Sequence, residues 1–288
     1  MLLLQVILNG IVLGSLYACI AVGFSLVWGV LNVINLMHGS FIVLGSYLAW
    51  GAYNGLGMAP WTTLLFAAPL GFAFGYAIQR GVLNRVIAAP VLVTLTLTFG
   101  LDLMLNNAML VGFRADYRRL ILEPALGSLS VGGLVVPVDR LVATGFALVL
   151  TLALYLVLRQ SKAGRAIVAV RMDRDAARLM GVDVPSTYAT AFGLGAAMAA
   201  CAGVLLAMIF PISPIASGSY LGKAFVVCVL GGLGSVPGAV VGGLFLGMVE
   251  SFGSLAFGPE HAVTLSFSLL ILFLIFRPQG LMGKRGYE

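Results

Sequence analysis

The chain has 288 residues, 61% of them hydrophobic and 9% charged, with a net charge of +6 and a mean hydropathy of +1.09. A water-soluble domain of this length needs far more polar surface, so that class is excluded. Nucleic-acid affinity is excluded as the meaning of the positive charge, because the basic residues flank apolar runs, which is the pattern of membrane orientation.

Apolar runs near the ~20 residues that cross a bilayer recur along the whole length. They are too long and continuous for barrel strands, so the expected fold is an all-α integral membrane protein. This is a polytopic helical bundle of about 8–9 membrane segments in one transmembrane domain spanning 1–288. The segments fall at approximately 5–29, 36–53, 61–79, 91–112, 140–158, 187–210, 219–233, 237–256 and 262–276. Those bordering Asn32–Gly39 and Gly231–Gly238 are candidates for half-helices. No Lys or Arg precedes Arg80, so the first run lacks the basic flank of a cleaved signal peptide and is expected to be retained.

Asn32, Asn35, His38 and Ser40 cluster at the break between the first two segments. Two readings stand. The break lies at membrane depth, buried or facing a cavity, or it is an ordinary cytoplasmic turn.

In the fourth segment Thr94, Thr98, Asp102 and Asn106 recur every four residues, a single stripe on one helix face. Asn107 would extend it at the outer end. The stripe is either a polar wall of a permeation path or interhelical hydrogen-bonding glue, and Asp102 leans towards the path because a carboxylate at that depth needs water or a partner. A loop follows over 113–139, with Arg114, Arg118 and Arg119 in it and Arg140 just beyond.

The only long polar passage is the loop over 159–185, with Lys162, Arg165, Arg171, Arg174 and Arg178 interleaved with Asp173, Asp175 and Asp183. It contains a short helix signal. Asp173 is placed as N-cap, Asp175 sits in the first turn, Arg178 lies in the last, and Gly181 stands where a left-handed residue is wanted. Ala176 and Ala177 give this helix a smooth side for close approach of another protein. It reads as a docking handle.

Further on, Lys223 and Glu250 flank the Gly231–Gly238 turn and fall at similar depth in an antiparallel hairpin, which favours a structural ion pair over substrate contact. Small residues recur at four-residue spacing (Gly10/Gly14, Gly71/Gly75, Ala199/Gly203/Ala207, Gly238/Gly242, Gly243/Gly247), faces on which helix backbones pack closely. Gly-rich hairpins occur on both sides of the central loop, which suits pseudo-repeat halves. Cys19, Cys201 and Cys228 stand singly in apolar segments, so buried free thiols are expected rather than disulfides or a metal site.

No hydrolytic or redox constellation is visible, and no metal set. His38 and His261 are far apart. None of Lys162, Lys223 and Lys284 is followed by Ser or Thr, so no phosphate loop exists and the glycines of 231–238 are not a nucleotide cradle. Any ATP used is therefore hydrolysed by another chain. Eleven basic residues lie on one side (Arg80, Arg85, six from the 159–185 loop with its edge, Arg277, Lys284 and Arg285) and four on the other. The richer side is expected to be cytoplasmic, with the amino terminus outside and the carboxyl terminus inside.

Four ordered stretches resemble the branched-chain amino acid permease family of ABC importers, of the LivH type. They are NVINLMHGSFIVLGSYLAW (32–50), GRAIVAVRMDRDAARLMGV (164–182), LGGLGSVPGAVVGG (230–243) and FRPQGLMG (276–283). The likeness runs from about Gly10 to Gly283. The central loop also resembles the EAA element of ABC permeases, here Asp175-Ala176-Ala177-x-x-x-Gly181, with Asp in place of Glu. The resemblance implies a bacterial inner-membrane permease subunit paired with a second related permease. Two cytoplasmic ATPases would dock through Arg171, Arg174, Asp175, Ala176, Ala177 and Gly181, and a periplasmic binding protein would deliver substrate. It implies no cofactor on this chain. Leu, Ile and Val are the substrates first expected, with urea, short amides or aromatic acids as the alternative within the family. An ion-coupled secondary transporter, using Asp102 or Glu250, leaves the capped helix unexplained. An intramembrane enzyme or scaffold lacks a nucleophile–base pair or metal set.

Overall fold

The computed structural model describes residues 2–87, 89–122, 127–131, 133–277 and 279–282. Lys284 and Arg285 of the orientation argument, and Pro278 and Gly283 of the last motif, lie outside the described residues.

All nine expected segments are helical. They are α1 (Leu2–Leu31), α2 (His38–Leu56), α3 (Pro60–Gly81), α4 (Val91–Phe113), α5 (Val138–Gln160), and, beyond two short helices α6 (Lys162–Met172) and α7 (Arg174–Leu179), α8 (Val184–Ala207), α9 (Ser217–Gly231), α10 (Val236–Phe257) and α11 (Ala262–Phe276). Eight helical segments among the described residues are long and apolar enough to cross a bilayer, and α2, with its buried polar side chains, is not one of them. An antiparallel hairpin of β1 (Ser128–Val131) and β2 (Leu134–Pro137) occupies the loop after α4, a feature the loop sequence did not suggest. Gln5 clamps it to α1, donating to the Val135 carbonyl at 2.9 Å and accepting from the Val135 N–H at 3.2 Å.

Helix α6 was also unexpected. Ser161 caps it by accepting from the Gly164 N–H at 2.8 Å, and Ile167 and Val170, three apart, form its buried side.

α1 and α8 form the centre, each enclosed along most of its length, which is why both are apolar all round rather than amphipathic. Small residues set the spacing. Gly10 and Gly14 lie on the backbone at Leu244–Met248, while Gly71 and Gly75 lie on Gly193–Ala200. At Gly203 an added Cβ would collide with the Ile42 carbonyl oxygen. The small-residue faces read from sequence are therefore helix contacts.

The contacts show a repeat. α1–α4 and α8–α11 make corresponding sets: α1 rests on α10 as α8 rests on α3, and α2 crosses α8 as α9 crosses α1. Helices α1 and α8 pass each other at Gly23 and Gly195, running in opposite directions, so the two sets are inverted relative to each other. Their second helices, α2 and α9, start beside one another, with Gly39 against the Ser217 carbonyl. One end of the bundle gathers Arg80, Arg85 and the 160–185 segment, shown by the bond from Asn84 Nδ2 to the Pro185 carbonyl at 3.0 Å. The opposite end holds the hairpin.

Candidate translocation path and docking surface

The chain reverses at Asn32, a non-glycine residue at φ 53°, and climbs back beside α1 without regular structure. The His38 ring places the start of α2: its Nε2 bonds the Ile20 carbonyl, near the middle of α1, at 3.0 Å. A carbonyl only accepts, so Nε2 carries the proton and Nδ1 is the ring's acceptor. Asn35 Oδ1 accepts from the Met37 N–H at 3.1 Å. Asn35, His38 and Ser40 are all buried. The turn itself, at Asn32, is exposed at the basic end, whereas the stretch from Asn35 to Ser40 returns into the bundle. Asn35 Nδ2 and His38 Nδ1 have no hydrogen-bond partner.

The α4 stripe faces this break. Thr98 donates to the Ile34 carbonyl at 3.0 Å. Asp102 is bonded by the Ser40 hydroxyl and by Asn106 Nδ2 at 3.1 Å, while Asn106 Oδ1 is buried without a partner. Thr94 and Thr98 are buried and Asp102 and Asn106 are half-buried. Asn107 does not extend the stripe: it is exposed and bonds its own helix at Leu103, because five residues turn an α-helix well away from the stripe. At the basic end the stripe opens into a cavity of about 550 Å³, bordered by Asn32, Val33, Thr94, Arg171, Asp173 and Tyr188.

Lys223 and Glu250 form the expected ion pair, 3.0 Å apart and largely buried. Two further members were not legible in sequence. Tyr17 donates to Glu250 Oε2 at 2.6 Å and also bonds Lys223, whose ammonium lies 4.5 Å from the Tyr17 ring centroid. Ser266 bonds Glu250 Oε1. Four helices, α1, α9, α10 and α11, meet at one carboxylate, whose oxygens are thereby satisfied as burial demands.

At the basic end α7 has the caps its sequence specifies. Asp173 Oδ1 accepts from the N–H groups of Asp175 and Ala176, both at 2.9 Å, and Gly181 has φ 83°. One expectation is corrected. Ala177 is buried against the protein itself, so it supplies no docking surface; its carbonyl accepts from Val182 where the chain turns back into α8. Ala176, Arg171, Arg174 and Asp175 do face outward. Beside them Met172, Leu179 and Met180 are 80%, 89% and 85% exposed, an apolar cluster that the short segment gave no periodicity to reveal. The Arg174–Asp175 contact, at 3.9 Å and well exposed, adds little stability.

The expected absence of a metal centre concerns the described residues, where no group of three or more His, Cys, Asp or Glu side chains is placed to hold an ion. The three cysteines are free and buried.

Residues 6–276 match the family described as branched-chain amino acid transport system / permease component. The chain is 35% identical to the high-affinity branched-chain amino acid transport system permease protein BraD of Pseudomonas aeruginosa, over 99% of this chain and 97% of that protein. It is 34% identical to the corresponding permease protein LivH of Escherichia coli, over 99% and 97%, and 29% identical to LivM of the same organism, over 94% of this chain and 68% of that one. No solved structure matches it. The match covers α2, α9, the polar stripe and the capped helix α7, and the chain belongs to the family of permease components of branched-chain amino acid transport systems.

Proposed function

We propose that this chain is one of two membrane subunits of an ATP-driven importer of Leu, Ile and Val. A second related permease completes the pore, two ATPases dock at the basic end, and a binding protein delivers substrate at the hairpin end. The basic end is then cytoplasmic, in accord with the distribution of Lys and Arg. The similarity to both LivH and LivM supports a paired arrangement, since two related permease proteins carry those names in one organism.

The observation that carries the reading is α7. A six-residue helix with a double Asp173 cap stands out from an otherwise apolar bundle and presents Leu179 to solvent, with Met180 just after it and Met172 at the end of α6 exposed beside it. Exposed apolar side chains ringed by Arg171, Arg174 and Asp175 make a docking patch: apolar anchors at the centre, charges at the rim. Closure of the ATPases would move α7 as a rigid body, and its buried Ala177 would pass that movement to α6 and α8. Substrate would pass along Asn35, His38, Thr94, Thr98, Asp102 and Asn106. Unpartnered polar atoms there offer transient hydrogen bonds and, apart from Asp102, no fixed charge to trap a zwitterion.

The test is uptake of labelled leucine by cells with and without the gene, with the proton gradient collapsed and ATP maintained. Gene-dependent uptake that survives the collapse is the expected result. Uptake that dies with the gradient returns ion coupling, and gene-independent uptake, after redundant carriers are removed, moves the substrate to urea, amides or aromatic acids.

A further inference from the structure

The cavity of about 550 Å³ at the basic end lies between the docking segment and the transport bundle. Its walls come from the end of α1 with the turn after it, the α3–α4 connection, the end of α6 with α7, and the start of α8. The volume is that of a small-molecule site. Val30, Val33, Ile87 and Val91 form an apolar side. Three arginines, Arg171, Arg174 and Arg178, and two carboxylates, Asp173 and Asp175, form a charged side.

These charges are largely unspent. Among the described residues only Arg174 and Asp175 pair, at 3.9 Å and well exposed, while Arg171, Arg178 and Asp173 make no ion pair. Asp173 uses Oδ1 for its cap, which leaves Oδ2. The Arg171 guanidinium reaches across to the α1 wall. Its Nη2 lies 3.6 Å from where a Cβ on Gly234 would stand, and Gly234 rests on Gly29, the neighbour of Val30. Tyr188 on α8 lines the same cavity and is only 9% exposed, yet its hydroxyl has no hydrogen bond among the described residues. A Tyr hydroxyl on so enclosed a side chain ordinarily has a partner.

Guanidinium donors suit a carboxylate, free carboxylates suit an ammonium, and the valine-rich side suits an aliphatic chain. Together they match a small apolar amino acid as its zwitterion. A simple anion would meet Asp173 and Asp175 at a like-charge cost. We propose that this cavity is a cytoplasmic-side site for a free small apolar amino acid, and that its occupant ties α7 to α1 and α4 and slows the transport cycle. Arg171 takes the carboxylate, Asp173 the ammonium, and Tyr188 gains the partner it lacks. The cavity has these walls only while α7 stands beside α1 and α4, so a ligand that spans it favours this conformation over the one to which α7 moves. The inference rests on the importer reading for which side is cytoplasmic and for the movement of α7.

The experiment uses the complete transporter in proteoliposomes with its ATPases facing outward, binding protein and leucine sealed inside, and ATP outside. Leucine is then added outside, and ATP hydrolysis is compared with each variant's own rate before the addition. Leucine is expected to lower the rate about fivefold at saturation, the low end of coupling between two sites. Leucinamide, which lacks the carboxylate, and 4-methylpentanoate, which lacks the ammonium, are expected to act about tenfold more weakly, the scale of one charge-assisted hydrogen bond. Arg171→Gln should raise the leucine concentration for half-inhibition about tenfold, and Tyr188→Phe about threefold. Saturation-transfer NMR on the transporter without its binding protein reads leucine binding directly and should give the same order of ligands and variants. Absent binding, equal effects of leucine and leucinamide, undiminished inhibition of Arg171→Gln, or displacement of leucine by equimolar inorganic phosphate overturns the site. Binding without inhibition overturns the hold on α7, and the proposal with it. If hydrolysis does not respond to the sealed binding protein, the importer reading fails. The NMR arm then decides the site alone: Arg171-dependent binding of leucine supports it and Arg171-independent binding overturns it.

Discussion

Helices α2 and α9 occupy corresponding places in the two inverted sets, yet an ion pair is added to the seat of α9. α2 is seated by backbone contact. Gly39 meets the Ser217 carbonyl, Gly45 meets Ala200, and Gly203 meets Ile42, with Ser46 adding a hydrogen bond to the Gly203 carbonyl at 2.8 Å. α9 has close backbone contacts of its own, with Gly238 and Gly242 of α10 against Gly231 and Val227, and it adds charge, through Lys223 on Glu250 and Tyr17. Glycine contacts work by shape, since dispersion falls off steeply with separation, and they fix α2 in one position. A buried ion pair is directional and has a large desolvation cost on each side, so it holds α9 firmly while its members stay together. The helix that carries His38 and Ser40 is thus built into the scaffold. Its counterpart adds a charged node, and that node is where a change of state could act.

The comparison breaks most completely at Gly203→Val. The added Cβ alone collides with the α2 backbone, which has no side chain to rotate away, so the cost exceeds the ~1–3 kcal/mol of ordinary overpacking. The expected outcome is loss of folded protein from the membrane, checked by its abundance and by monodispersity after extraction. Near-normal levels of folded variant would show that α2 is not seated by shape.

On the other side, Glu250→Ala leaves the Lys223 ammonium and Tyr17 hydroxyl buried without their acceptor. A loss of about 3–5 kcal/mol is expected, read as a fall in thermal unfolding temperature of the extracted protein. The double variant Glu250→Ala with Lys223→Met should recover much of it, because no uncompensated charge then remains. If the double variant is as unstable as the single one, α9 is held by packing, and the contrast with α2 disappears.

Much of this contrast was visible in the sequence, and for a physical reason. Membrane spans declare themselves by continuous apolar length, and four-residue glycine spacing marks close helix faces, so the nine helices and the seat of α2 were both legible. The Lys223–Glu250 pair followed from matched depth across a short hairpin. Tyr17 and Ser266 did not, because Tyr17 is separated from Glu250 by 233 positions and nothing local marks a Tyr or Ser as a charge partner. The docking face of α7 was misjudged at Ala177 because six residues give fewer than two turns, too few for a periodicity to say which side faces inward. Arg118 looked like one of three basic residues in the 113–139 loop, and only its neighbours in space distinguish it: the Trp50 ring under its guanidinium, the Phe113 carbonyl it donates to, and the Ile212 backbone.

The finest difference between the two helices lies just before their first turns. Neither has a side-chain N-cap, but the turn ahead of α2 is closed by Asn35, whose Oδ1 takes the buried Met37 N–H. Asn35→Ala should therefore cost about 1–2 kcal/mol, the range for leaving one buried N–H without its acceptor, and the loss is measurable as a modest drop in unfolding temperature. The same variant separates two roles of Asn35. As a turn former alone, it would lower the amount of folded protein but leave leucine uptake per folded molecule unchanged. As a wall of the path, with Nδ2 unpartnered in this conformation, it should also lower uptake per molecule, by about threefold, the scale of one neutral hydrogen bond. The latter is expected, because the turn needs only the oxygen. An amide that keeps its nitrogen unpaired inside a bundle has a donor available for a passing carboxylate.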